Sequence, residues 1–285
     1  MTNSSVSKRQ SKSGRRALWI AVPVTFLAII PLLWALVSSL RPGDEIFRHL
    51  SPFTLRTIVP SSISLDNYAA VLGSSFSVAL FNSVFVAFFS VLIGLVVASL
   101  AAYALAVIDF PGRRLLFVVL VVSFLVPFEA IVIPLSATFR ELGMQDTYAG
   151  LILPTIGNGL AIFLLRQFFM AVPTSLLEAA RLDGLSWFGV FRRIYLPLSK
   201  APLLGAGLIL FIFSWQSFQW PLIIAPSDTA RVAQVAIADF AKEAGGVNFG
   251  QMFAATILTS AIPLIVMLVL QRQLTGSLAS SGSKE

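Results

Sequence analysis

The chain has 285 residues, of which 57% are apolar and 12% charged, with a mean hydropathy of +0.88 and a formal net charge of +7. Soluble domains carry roughly 45–50% apolar residues even with glycine counted, and about 25% charged ones. Too little polar surface remains to cover a water-facing exterior, so a soluble globular domain and a disordered chain are both excluded. The absence of cysteine rules out disulfides, thiolate–metal sites and thiol nucleophiles, and the single histidine, His49, rules out a multi-histidine metal centre.

In chain order, residues 1–16 form a basic tail holding Lys8, Arg9, Lys12, Arg15 and Arg16. A spanning helix needs roughly 20 mostly apolar residues, and the first such run, Ala17–Leu40, carries no charge. It is too long for the apolar region of a signal peptide, and Arg41-Pro42-Gly43 follows it rather than a small-residue cleavage site, so it is expected to be a retained helix. Later uncharged or nearly uncharged runs predict spans at about 76–108, 115–137, 148–170, 202–225 and 251–271, followed by a tail at 272–285. His49 reads as an ordinary loop residue.

Six spans put both termini on one side of the membrane. With that side in the cytoplasm, 14 of the 20 Lys and Arg residues lie inside and six outside, whereas the acids run four inside and eight outside. That bias predicts N-in/C-in. It also accounts for the isoelectric point of about 10.2 without nucleic acid.

Several residues inside the predicted spans suggest more than lipid contact. Prolines 23, 31, 127, 134, 154, 202, 221 and 263 free backbone groups that protein or water must satisfy. Gly94, Ala98, Ala102 and Ala106 recur every four residues, a stripe for close helix packing. Gly157-Asn158-Gly159 breaks the fourth span. Glu129 is the one acid within a span, and intramembrane carboxylates usually face a cavity. Asn82, Glu129, Asn158, Trp215, Gln216 and Gln219 are therefore the candidates for a solute pathway, since aromatic faces and amides suit sugars. The competing reading for the tryptophans is an interfacial belt.

Between spans four and five, residues 173–200 read as two short helices. Ser175 with Glu178 three positions on predicts a capping box. Gly184 predicts a left-handed stop, Ser186 a second cap, and Pro197 the end of the second helix. That second helix carries Trp187, Phe188, Val190, Phe191, Ile194 and Tyr195, too apolar to stand free in water. Arg192 and Arg193 read as lipid-headgroup or topology residues.

Glu178-Ala179-Ala180, then Gly184, then Ile194-Tyr195-Leu196-Pro197 resembles the EAA loop of binding-protein-dependent ABC importer permeases, whose spacing is E-A-A, three residues, G, nine residues, I, one residue, L-P. Leu65-Asp66-Asn67-Tyr68, Asn82-Ser83, Phe110-Pro111-Gly112-Arg113 and Leu151-Ile152-Leu153-Pro154 are similar to the carbohydrate-uptake, maltose-type branch with six spans. Two stretches depart from it. Trp215-Gln216-Ser217-Phe218-Gln219-Trp220-Pro221 stands where relatives often read W-N-D-F-x-W-P, and the tail lacks the usual G-L-T-x-G-A-V-K-G run.

The resemblance implies an all-α polytopic membrane protein with the type I ABC importer permease fold and a cytoplasmic coupling helix. It implies docking on an ATP-hydrolysing subunit through Glu178, Ala179, Ala180, Asp183, Gly184, Phe188, Ile194 and Pro197. The implied partners are a sister permease, two ATP-binding subunits, an extracytoplasmic solute-binding protein and membrane lipid, with a carbohydrate as solute. No G-x-x-x-x-G-K-[ST] occurs, so ATP and magnesium are expected on the partner chain, with no cofactor, metal or catalytic residue in this one. The alternatives are an ion- or proton-coupled secondary carrier, which calls for carboxylates in several spans, and a membrane-embedded enzyme, which calls for clustered His, Asp or Glu.

Overall fold

The computed structural model describes residues 4–47, 55–57, 59–60, 62–241 and 247–281, so His49 lies outside the described residues, as do the side chains of residues 4–18 and 272–281. Among the described residues the regular structure is entirely helical. The main elements are α1 (Ser4–Ser39), α2 (Asp66–Leu72), α3 (Phe76–Val107), α4 (Arg113–Leu125), α5 (Phe128–Glu141), α6 (Tyr148–Ile152) and α7 (Gly159–Met170). There follow α8 (Thr174–Leu182), α9 (Trp187–Val190), α10 (Leu196–Leu198), α11 (Lys200–Trp215), α12 (Gln219–Ile224), α13 (Ala233–Ala236) and α14 (Phe249–Ser281). Three helices, Ala21–Ser39, Phe76–Val107 and Phe249–Gln271, are long and apolar enough to cross a membrane, and up to six spans exist if each bent helix pair counts as one.

The chain divides into two compact units. In the first, residues 1–74 with 237–258, the end of α1 is tied down by polar side chains. Asn67 donates both amide hydrogens, to the carbonyls of Ser39 (3.0 Å) and Arg41 (2.7 Å), and the Tyr68 hydroxyl lies 2.7 Å from Ser39 Oγ. These bonds serve carbonyls that a helix end leaves without partners. Trp34 meets Phe253 edge-on at 5.3 Å, and Phe47 meets Phe249 likewise at 4.7 Å.

In the second unit, residues 75–236 with 259–285, α3 is the central mast. Its small-residue stripe does what its spacing predicts: Ala98 and Ala102 are fully buried among Ala161 and Leu165 of α7 and Ala206 and Leu210 of α11. A Cβ on Gly94 would lie 3.1 Å from Leu210, so the helices approach as closely there as a missing side chain allows.

Three predicted spans are not single helices. The run read as 115–137 is α4 and α5, set at 97° to one another. Pro127 has no N–H to continue α4 and holds Val126 extended (ψ 121°). The run read as 202–225 is α11, which ends at Trp215, and the short α12 beyond a break at 216–218. The fourth run bends by 44° at the predicted Gly157-Asn158-Gly159 break.

Candidate functional site

Residues 173–200 form a ridge built onto α3 and α7. α8 ends in the Gly184 turn, at φ +80°, where the Leu185 N–H reaches the Ala180 carbonyl at 3.0 Å. The Ser186 hydroxyl accepts the Gly189 N–H at 3.1 Å and starts α9, as its position predicts. A π-turn over Phe191–Tyr195 then leads into α10.

The capping box does not form. Pro173, with φ already at −56°, takes the cap position, so Ser175 lies inside α8 and its hydroxyl caps nothing. Glu178 is consequently exposed, with no hydrogen bond or ion pair among the described residues. Pro197 does not end the second helix either. It sits in the first turn of α10, which continues to Leu198.

The ridge has two faces. Inward, Ala180, Val190, Phe191 and Tyr195 are buried among Tyr103, Phe169 and Val172, with Ile194 partly buried beside them. Tyr103 lies 5.1 Å from both Phe191 and Tyr195 and donates its hydroxyl to the Trp187 carbonyl at 3.0 Å. Burial pushes the Tyr195 phenol above its ordinary range, so it stays protonated. Outward, Glu178, Ala179, Asp183, Gly184 and Pro197 are exposed, together with Phe188 at 63% and Leu182 at 89%. Arg181 stacks 4.6 Å over Trp187 and donates to the Leu185 carbonyl at 2.7 Å, which stiffens the elbow between α8 and α9. Ala180 and Ile194, expected at a docking face, instead seat the ridge on the spans. Leu182 was not among the expected residues, although Ala180 pointing inward places a residue two positions on at about 200° around the helix.

Removing only the hydroxyl that ties the ridge to α3, in Tyr103→Phe, keeps the aromatic packing and costs about 1 kcal/mol. Trypsin cleavage at Arg181 and Arg192 in membranes is expected to speed up about fivefold, the equivalent of that energy. An unchanged rate would show that the tie carries no load.

The pathway candidates do not gather in one place. Asn82 is fully buried and acts as a latch: its amide donates to the carbonyls of Thr229 and Arg231, both at 2.9 Å, and its oxygen accepts the Tyr148 hydroxyl at 2.7 Å. Ser83 beside it accepts the Ala233 N–H at 2.8 Å. Trp215 is buried, and its carbonyl accepts from Gln234. Gln216 and Gln219 are exposed. Glu129 is exposed in the first turn of α5, beside the 97° break rather than inside a continuous span.

Asn158 accepts the Ala161 N–H at 3.0 Å as the cap of α7, and it lines a cleft of about 530 Å³. Three helix breaks reach this cleft, through Pro127, Gly157 and Ser217, whereas the 85° bend between Leu198 and Lys200 does not. Phe124, Phe213 and Trp220 supply its aromatic wall. Pro127 and the Gly157-Asn158-Gly159 run marked two of these breaks in the sequence, and Pro221, which cannot donate to the Ser217 carbonyl four residues back, marked the third. Among the described residues, no group of three His, Cys, Asp or Glu could hold a metal ion.

Comparison with known proteins agrees with this architecture. Residues 90–278 match the family of binding-protein-dependent transport system inner membrane components. The arabinooligosaccharides transport system permease protein AraQ of Halalkalibacterium halodurans is 31% identical, over 92% of this chain and 93% of its own length. The trehalose transport system permease protein SugB of Mycobacterium tuberculosis is 34% identical, over 95% and 98%. The sn-glycerol-3-phosphate transport system permease protein UgpE of Yersinia enterocolitica is 35% identical, over 90% and 92%. In fold, the chain superposes with a TM-score of 0.78 and 22% identity on a subunit of a bacterial ABC transporter involved in the import of the acidic polysaccharide alginate, covering 93% of this chain and 97% of that one. The chain therefore belongs to the inner-membrane components of binding-protein-dependent transport systems, as a permease subunit of an ABC importer and a transport component rather than an enzyme.

Proposed function

We propose that this chain carries a carbohydrate across the inner membrane, driven by ATP hydrolysis on a separate subunit that grips the ridge at 173–200 from the cytoplasm. The observation that carries this reading is the ridge's division of labour: one face locked to α3 and α7, the other presenting exposed Leu182 and Phe188 beside Glu178. A large apolar side chain left in water gains about 1.5–3 kcal/mol when a partner covers it. Anchoring through Tyr103 and Phe169 makes any displacement of the ridge a displacement of the spans.

The proposed assembly is one copy of this chain, one sister permease, two ATP-hydrolysing subunits holding ATP and magnesium, and an extracytoplasmic binding protein that delivers solute. The Lys and Arg bias supports N-in/C-in, with the ridge in the cytoplasm. A carbohydrate fits the names of the relatives that transport arabinooligosaccharides and trehalose. The ion-coupled carrier finds no support, because the relatives are permeases of ABC systems and Glu129 is the one acid within a predicted span.

Glu178→Ala and Glu178→Gln test the docking directly, since Glu178 caps nothing in its own chain. Both are expected to fold normally and to lower solute-stimulated ATP hydrolysis by about tenfold, the loss of one charge-assisted hydrogen bond. Full coupling in both variants would remove Glu178 from the interface.

A further inference from the structure

We propose that the cleft at the three helix breaks is the wall along which an electrically neutral saccharide passes, and that acidic or phosphorylated solutes are excluded from it. This rests on the carbohydrate-permease reading and deepens it. Family membership does not choose between the two chemistries: trehalose and arabinooligosaccharides are uncharged, whereas sn-glycerol-3-phosphate and alginate are anions.

The cleft does choose. Its volume, about 530 Å³, falls within the range of small-molecule sites. None of its lining residues is ionisable. Helix N-termini could still attract an anion, but α12 is only six residues long, and the first turns of α7 and α5 carry oxygen acceptors of their own. In α7 the Asn158 oxygen takes the Ala161 N–H at 3.0 Å, and in α5 the first turn carries the Glu129 carboxylate. None of the guanidinium groups on the lining helices or the nearby loop (Arg113 and Arg114 of α4, Arg140 of α5, Arg166 of α7, and Arg231) lines the cleft. Arg140 donates to the Ile223 carbonyl at 3.3 Å, and Arg231 pairs with Asp228 at 2.9 Å.

An anion entering would shed water and meet no counter-charge. Sugar hydroxyls would find matching groups. Ser123 spends its proton on the Leu120 carbonyl at 2.8 Å and keeps lone pairs to accept, and Ser217 offers a second hydroxyl. The rings of Phe124 and Phe213 suit the C–H faces of a pyranose, while Trp220, buried edge-on against Phe128 and Phe139, backs the wall.

Two measurements test this. Cells expressing the whole importer, with and without this chain, are fed a mixed hydrolysate of neutral and uronic-acid oligosaccharides together with glycerol 3-phosphate, and depletion is followed by charge-resolved chromatography. Depletion of neutral saccharides that depends on this chain, with the anions untouched, is the expected result. Chain-dependent depletion of an anion overturns the inference and leaves the permease reading standing. If no saccharide of either class depends on the chain, the carbohydrate reading falls with it.

Independently, the absence of cysteine makes Ser217→Cys a unique thiol in this chain. In the assembled complex, a cationic methanethiosulfonate is expected to label it about tenfold faster than an anionic one, because no cation lines the cleft and the first turn of α5, whose Phe128 does line it, carries the Glu129 carboxylate. Faster labelling by the anionic reagent, or labelling by neither, overturns the assignment of the cleft.

Discussion

A Leu182→Asp variant is expected to insert and fold as the parent chain does and yet to lose its ATP-hydrolysing partner. Leu182 is 89% exposed, so its own chain gains almost nothing from it. A carboxylate at the last position of α8 opposes the helix dipole by only about 0.3–1 kcal/mol. In the assembly the accounting reverses. Apolar burial of about 2 kcal/mol disappears, and a carboxylate must be desolvated without a partner. Each 1.4 kcal/mol is tenfold, so affinity for the ATPase is expected to fall roughly a hundredfold or more. Co-purification and solute-stimulated ATP hydrolysis should be lost together, while Leu182→Met retains both. Undiminished uptake with the aspartate in place would mean that this side of the ridge meets no partner.

The second large effect lies at Asn82. Asn82→Leu keeps the branched heavy-atom skeleton of the side chain and replaces its polar atoms with methyl groups. The carbonyls of Thr229 and Arg231 lose this donor and the Tyr148 hydroxyl loses its acceptor, all around a residue with no solvent exposure. Each such hydrogen bond contributes about 0.5–1.5 kcal/mol net, so loss of all three is expected to cost about 2–4 kcal/mol. The loss should be local to the 225–236 segment, seen as much faster amide exchange at residues 229–236 with α7 unaffected. Asn82→Asp is expected to do at least as much harm, since a carboxylate beside two carbonyls repels them. Unchanged exchange in that segment would show that the latch holds nothing.

These residues also mark where the sequence stopped being readable. The spans were visible because lipid demands long apolar runs, and the ridge because Gly184, Ser186 and the E-A-A spacing are local signals. The bends were only half visible. Pro127 marks a break, but the 97° angle between α4 and α5 depends on what each half packs against. The break after Trp215 falls in an uncharged run that Gln216, Ser217, Gln219 and Pro221 interrupt, but those residues suit a sugar site as readily as a break. The capping box failed because Pro173 takes the cap position two residues before Ser175, where the serine pattern places it.

Asn82 was chosen for its amide chemistry, which suits a sugar and a latch equally well. Its partners lie about 150 residues further along the chain, and only tertiary structure shows that both amide hydrogens are already taken. Conversely, the cleft's uncharged lining comes from three separate stretches, none of which is distinctive alone.

The account turns on the outer face of the ridge being held by a motor on another chain. A photo-crosslinker placed at position 182, in the intact importer during ATP-driven uptake, tests that contact directly. The account predicts a covalent adduct with the ATP-hydrolysing subunit. An adduct with lipid alone, from a complex still taking up solute at the parent rate, would contradict it.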